Sequence, residues 1–170
     1  MLPGVKRSSV SHLTCSVARG LEVVGEWWTL LIVRDLFLGM RRFDEIRDSL
    51  GISRNILIDR LDTLVEHGLV ERRPYQKHPP RSDYHLTDKG RDLYPVILAL
   101  MRWGDTWLAG SAGPPVLVEH AACGRIAQPQ VTCDHCGQPL TDESSHFVAA
   151  SEYRRIADDH GGNAALLAER

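Results

Sequence analysis

The sequence predicts a mainly α-helical fold with one small β-hairpin, an α+β class, followed by a small Cys/His-bearing appendage. Three observations carry this. Apolar residues recur at helical spacing through most of residues 16–109. A proline-bearing stretch, 74–82, separates two short β-like runs. Three of the four cysteines, Cys123, Cys133 and Cys136, cluster beyond Ser111-Ala112-Gly113-Pro114-Pro115, a linker by composition.

The elements follow in order. Residues 1–13 read as a loose N-terminal arm. Val17, Leu21 and Val24 predict a short amphipathic helix over 16–24, interrupted at Gly25. Glu26 to Leu38 is apolar nearly all round, which suits a helix at the centre of a small core. Gly39 is its stop signal. Arg42 to Leu50 predicts a third helix with Phe43, Ile46 and Leu50 on one face. Gly51-Ile52-Ser53 makes a tight turn, and the Ser53 hydroxyl can cap the helix that follows. That fourth helix, about 54–67, buries Leu57, Leu61 and Leu64 and closes at Gly68. Leu69–Arg73 and Asp83–Leu86 are the β-like runs. Prolines cannot donate to a ladder, so 74–82 is expected as a hairpin tip. Thr87 or Asp88 caps a long helix over 89–109. Its Leu93, Val96, Ile97, Leu100, Met101, Trp103, Trp107 and Leu108 exceed what a monomer of this size needs to cover. The alternative is that Trp103 and Trp107 cover the appendage. The divisions are thus an arm (1–13), a helical and hairpin domain (14–110), a linker (111–115), an appendage (116–150) and a tail (151–170).

Composition limits the function. With 43% hydrophobic and 25% charged residues, 170 residues read as soluble and globular. No apolar run approaches the roughly 20 residues that span a bilayer. The first ten residues lack the apolar core of a secretory signal, so a cytoplasmic location is expected, with no membrane partner. The net charge of -2 excludes a bulk basic nucleic-acid binder. Residues 41–91 hold eleven Lys and Arg against nine Asp and Glu, and the rest of the chain nine against thirteen. Any DNA contact must therefore use a few well-placed cations on one face.

Helix, tight turn, capped helix and hairpin is the order of a winged helix-turn-helix. A helix of about 14 residues is roughly 21 Å long and fits a major groove. Its N-terminal residues, Ser53, Arg54 and Asn55, should reach base edges. Arg54 offers a fork of donors to guanine, Asn55 a two-way pair to adenine, and Ile58 an apolar contact for a thymine methyl. Asp59 and Asp62 suit the rim of the groove or an ion pair with a nearby arginine. Arg60 serves DNA or an ion pair with Asp59, Asp62 or Glu66. Lys77, His78 and Arg81 at the wing tip stand beside Pro79-Pro80, which stiffens the loop for phosphate or minor-groove contact. Arg41 and Arg42 precede the third helix, whose first amides also favour phosphate.

The stretch from Cys15 to Trp103 resembles the HxlR family of regulators, relatives of the MarR group. The segments that carry the resemblance are residues 25–36 (GEWWTLLIVRDL), 39–43 (GMRRF), 51–57 (GISRNIL), 60–61, 68–72 (GLVER) and 79–90 (PPRSDYHLTDKG), in order and at matching spacing. The resemblance implies a transcriptional regulator, read as a repressor. It would act as a homodimer on a pseudo-palindromic double-stranded operator, with the helices near 16–24 and 89–109 at the dimer interface. Several members of that family sense oxidants or electrophiles through a cysteine at the place of Cys15. Here Ser16 follows it, where that family usually shows proline. A helix N-terminus favours a thiolate, so Cys15 is a candidate redox sensor, with a small-molecule effector as the other route. No catalytic residue is expected.

His120-Ala121-Ala122-Cys123-Gly124 and Cys133-Asp134-His135-Cys136-Gly137 repeat one spacing. Two such pairs can place His120, Cys123, Cys133 and Cys136 around one tetrahedral zinc, with His135 an alternative fourth ligand. The appendage is therefore expected to be zinc-ribbon-like, its metal structural. The other readings are a metal-free thiol cluster or a Cys133–Cys136 redox pair. Two competing functions follow. One is a thiol oxidoreductase, against which there is no thioredoxin-like βαβ pattern and only scattered histidines (His12, His67, His78, His85, His146 and His160). The other is a zinc-dependent protein-interaction module with a degenerate winged helix.

Overall fold

The structure, a computed structural model, describes residues 9, 10 and 12–149. Most of the expected arm and all of the 151–170 tail lie outside them. The elements are α1 (Ser16–Val24), α2 (Trp27–Phe37), α3 (Phe43–Leu50), α4 (Arg54–Glu66), β1 (Val70–Gln76), β2 (Arg81–Leu86), α5 (Asp88–Arg91), α6 (Tyr94–Trp107), β3 (Val118–His120) and β4 (Arg125–Ala127). The described residues divide into two compact units between Pro129 and Gln130.

In the first unit the core forms where the sequence periodicities meet. Ile32, Val33 and Leu36 of α2, Ile46 of α3 and Leu57, Leu61 and Leu64 of α4 are fully or almost fully buried. Leu69, Val70 and Leu86 at the base of the hairpin join them. Phe43 and Leu50 pack against this core from α3. The α3–α4 turn works as expected. Gly51 takes φ +62, and Ser53 Oγ accepts from Ile56 N–H at 3.4 Å. Thr87 is the cap of α5: its hydroxyl accepts from Gly90 N–H at 3.1 Å and donates to Gly68 O at 2.6 Å.

Three features differ from expectation. The long helix is broken. Pro95 has no N–H to return to Arg91 O, so the chain ends α5 at Arg91 and restarts α6 with proline in its first turn. The hairpin is longer than expected: Pro74 lies opposite Ser82, with a register shift between Pro74 and Gln76. A two-stranded ribbon has two edges, and proline is tolerated where its missing donor would face solvent. The tip therefore narrows to residues 77–80. Finally, the unit boundary lies beyond the 111–115 linker. Hairpin β3–β4 (Val118–His120 opposite Arg125–Ala127) stays with the first unit. Arg102 of α6 donates to Pro129 O at 3.1 Å just after it.

The second unit, as far as it is described, contains a bridge between Thr132 and Pro139 around the Cys133–Gly137 turn. No helix of the described residues is long and apolar enough to cross a membrane.

Candidate nucleic-acid interface

The first residues of α3 and α4 and the wing line one groove of about 590 Å³. Arg42 and Phe43 are the N-cap and first residue of α3, Arg54 and Ile58 come from α4, and Tyr75, Pro79, Pro80, Arg81 and Tyr84 from the wing. The wing is fixed to α3 by backbone. Tyr84 N–H donates to Arg41 O at 2.8 Å, and Arg42 forms an isolated bridge with Asp83. These contacts hold the base of the wing beside the start of α3.

The arginines in and around this groove sort by partner. Arg60 pairs with Asp59, and Arg72 with Asp62 and over the Tyr84 ring. Arg73 pairs with Glu71 at 2.5 Å, and Arg47 with Asp44 and Asp48 at 2.9 and 2.7 Å. Asp59 and Asp62 on α4's outer face are thereby paired, which lessens their repulsion of phosphate. Arg42 lies 3.9 Å from Asp83 and 5.2 Å from the Tyr75 ring centroid. Arg54, Lys77 and Arg81 have no carboxylate partner among the described residues. Ser53, Asn55, Ile58 and His78 are exposed beside them.

Arg41 turns inward. Its guanidinium donates to Leu36 O and to Met40 O, the latter at 2.8 Å, so it is held against the backbone of the turn that follows α2. The two amides that precede α3 are engaged: Glu45 Oε2 accepts from Arg41 N–H and Arg42 N–H, each at 3.0 Å. Those two bonds lower the Glu45 pKa and keep its carboxylate ionised. Sequence reasoning missed Phe43 and Tyr75 as groove residues. Phe43 matched the core periodicity, and Tyr75 fell in a stretch read as the hairpin tip.

Cys15 is the N-cap of α1, exposed, with Sγ accepting from Ala18 N–H at 3.3 Å. The two Cys/His turns share one local geometry. In each, a glycine at positive φ (Gly124 at +64, Gly137 at +71) donates its N–H to the carbonyl of the turn's first residue at 2.8 Å. Cys123 Sγ lies 3.4 Å from His120 Nδ1. Backbone N–H groups of Cys136 and His135, and the Cys136 side chain, lower the Cys133 pKa. Each turn thus presents one pair of donor atoms of the type zinc takes. Among the described residues no group of three or more His, Cys, Asp or Glu is placed to hold a metal.

Comparison with known proteins agrees with this geometry. Residues 23–112 match the model of the HxlR-like helix-turn-helix family. The chain is 50% identical over 126 residues to an uncharacterised HTH-type transcriptional regulator, Mb3122, of Mycobacterium bovis, covering 74% of this chain and 80% of that one. A crystal structure of PA1607, named as a candidate transcription factor, is 37% identical with a TM-score of 0.73, covering 83% of this chain and 99% of the other. A second candidate transcription factor, PA1374 from Pseudomonas aeruginosa, is also 37% identical, with a TM-score of 0.58 over the same shares. The chain belongs to the HxlR-like helix-turn-helix family of transcriptional regulators.

Proposed function

We propose that the chain is a repressor that binds a pseudo-palindromic DNA operator as a homodimer. The observation that carries the DNA surface is the sorting of charge. Of the cations at the start of α4 and in the wing tip, Arg54, Lys77 and Arg81 have no acidic partner among the described residues, and Arg54 and Arg81 line one groove. Arg54 and Asn55 reach base edges, and Lys77, Arg81 and Arg42 meet phosphate. The dimer is supported by α6, which buries no residue of its own in the single chain, and by exposed Val17 and Leu21 on α1. Fluorescence anisotropy of purified protein against duplexes upstream of its own gene, over a salt series, tests this. Tight binding that weakens steeply with salt is expected. Salt-insensitive capture of a protein partner with no DNA binding would favour the interaction-module reading instead.

Oxidation of Cys15 is the proposed switch. Its Sγ caps α1, and α1 belongs to the proposed dimer surface. A disulfide across the dimer, formed as two thiols give two electrons and two protons to an oxidant, would alter that cap and the spacing of the two DNA-binding heads. A Cys15→Ser variant that kept the full oxidant response would sink the switch and leave a small-molecule effector. Structural zinc on His120, Cys123, Cys133 and Cys136 rests on their spacing in the sequence and on the matched geometry of the two turns. Native mass spectrometry after reducing purification is expected to show one zinc per chain, and a metal-free mass would remove the site.

A further inference from the structure

Arg54 is the first residue of α4 and Phe43 the first residue of α3. The two are joined across the groove: the Arg54 guanidinium carbon lies over the Phe43 ring, 5.1 Å from its centroid. That is within the roughly 6 Å at which a ring face attracts a cation. The ring itself is anchored, because Phe43 packs against the buried core. Arg54 has no carboxylate partner among the described residues to hold it elsewhere. An exposed arginine otherwise loses much of its rotamer freedom when it is fixed on a target. A guanidinium resting on an aromatic face has already given up part of that freedom. Its N–H donors lie in its own plane, so the ring does not consume them.

We propose that Phe43 is a positioning residue that sets base specificity through Arg54. It holds the guanidinium in the plane from which Arg54 makes its paired hydrogen bonds to a base edge, while making no DNA contact of its own. This rests on the DNA-binding reading above. Arg54 supplies the recognition and Phe43 its direction. The consequence is a loss of discrimination with no loss of charge, because substituting Phe43 removes no cation from the surface.

The test uses the full chain, its operator duplex and a scrambled duplex of equal length. Phe43→Leu is expected to weaken operator binding about three- to tenfold, the range a cation–π contact supports. Scrambled-duplex binding and the salt slope should stay at wild-type values, while the melting temperature falls modestly because Phe43 also packs against the core. Phe43→Tyr, which keeps a ring, should restore the operator affinity. In an Arg54→Ala background, Phe43→Leu should cost nothing further. Equal weakening on both duplexes, or the same loss in the Arg54→Ala background, would overturn the proposal. An independent readout needs no folded Phe43 variant: in the free wild-type protein the Arg54 Cδ protons should be shifted upfield by the ring current, and unshifted protons would also overturn it. A wild-type chain that bound the two duplexes equally would refute operator recognition itself, a result distinct from a failure of Phe43 alone.

Discussion

Gly90 shows how a single residue sets the packing of this fold. It is buried in α5, where a Cβ would meet Leu69 O at 2.1 Å and Leu86 Cδ2 at 3.1 Å. The obstacle at 2.1 Å is backbone, which cannot swing aside. Gly90→Ala should therefore destabilise the chain by about 1–3 kcal/mol, the usual cost of overpacking, measured by urea unfolding. An unchanged midpoint would show that α5 can shift freely. His85 gives a pH signature. Partial burial first, then the nearby charges of Arg73 and Arg41, lower its pKa from the ordinary 6.5. The unfolded chain then takes up a proton more readily than the folded one, so stability falls as pH drops below 6.5. His85→Gln should lose less melting temperature between neutral and mildly acidic pH than the wild type does. Equal losses would assign the acid sensitivity elsewhere. At this scale the sequence made the caps legible, since Ser53 and Thr87 act within three residues of themselves. It did not make Arg41 legible, because the carbonyls it meets are brought to its guanidinium only by the turn that follows α2.

Among the α-helices of the described residues, α6 stands out because none of its residues is buried. Val96, Leu100, Trp103 and Trp107 are 46%, 53%, 55% and 71% exposed, spaced four, three and four residues apart, so they form one stripe. An apolar stripe of that length on a monomer calls for a partner. Trp103→Glu should convert a dimer into monomers in sedimentation velocity and weaken operator binding at least tenfold, since each half-site is then bound alone. A dimer that survived this change would move the interface off α6. The sequence showed the apolar excess of this segment but not its break. Pro95 was in plain view, yet a proline kinks or restarts a helix depending on whether the preceding turn has somewhere to pack. Here Gly90, against Leu69 and Leu86, provides that place for α5.

For the molecule as a whole, the net charge of -2 means that affinity for DNA must come from local sorting of charge. The salt slope measures that sorting. If a dimer binds with Arg81 of each subunit on a phosphate, Arg81→Ala should lower the slope of log affinity against log salt by about 2 and leave base preference unchanged. A fall of about 1 would indicate a single engaged wing, and no change would take Arg81 off the phosphate backbone.

The sequence by itself determined the order of helix, turn, capped helix and hairpin, the leucine stripe of α4 and the family. Periodicity, caps and turn glycines act over three or four residues, so composition and spacing are enough to specify them. Only the tertiary structure decided which arginines are neutralised, that Phe43 lies under Arg54, that Arg41 turns inward and that the β3–β4 hairpin stays with the first unit. Each of these depends on where separate elements bring charged or aromatic groups within a few ångströms, and no local spacing encodes that distance.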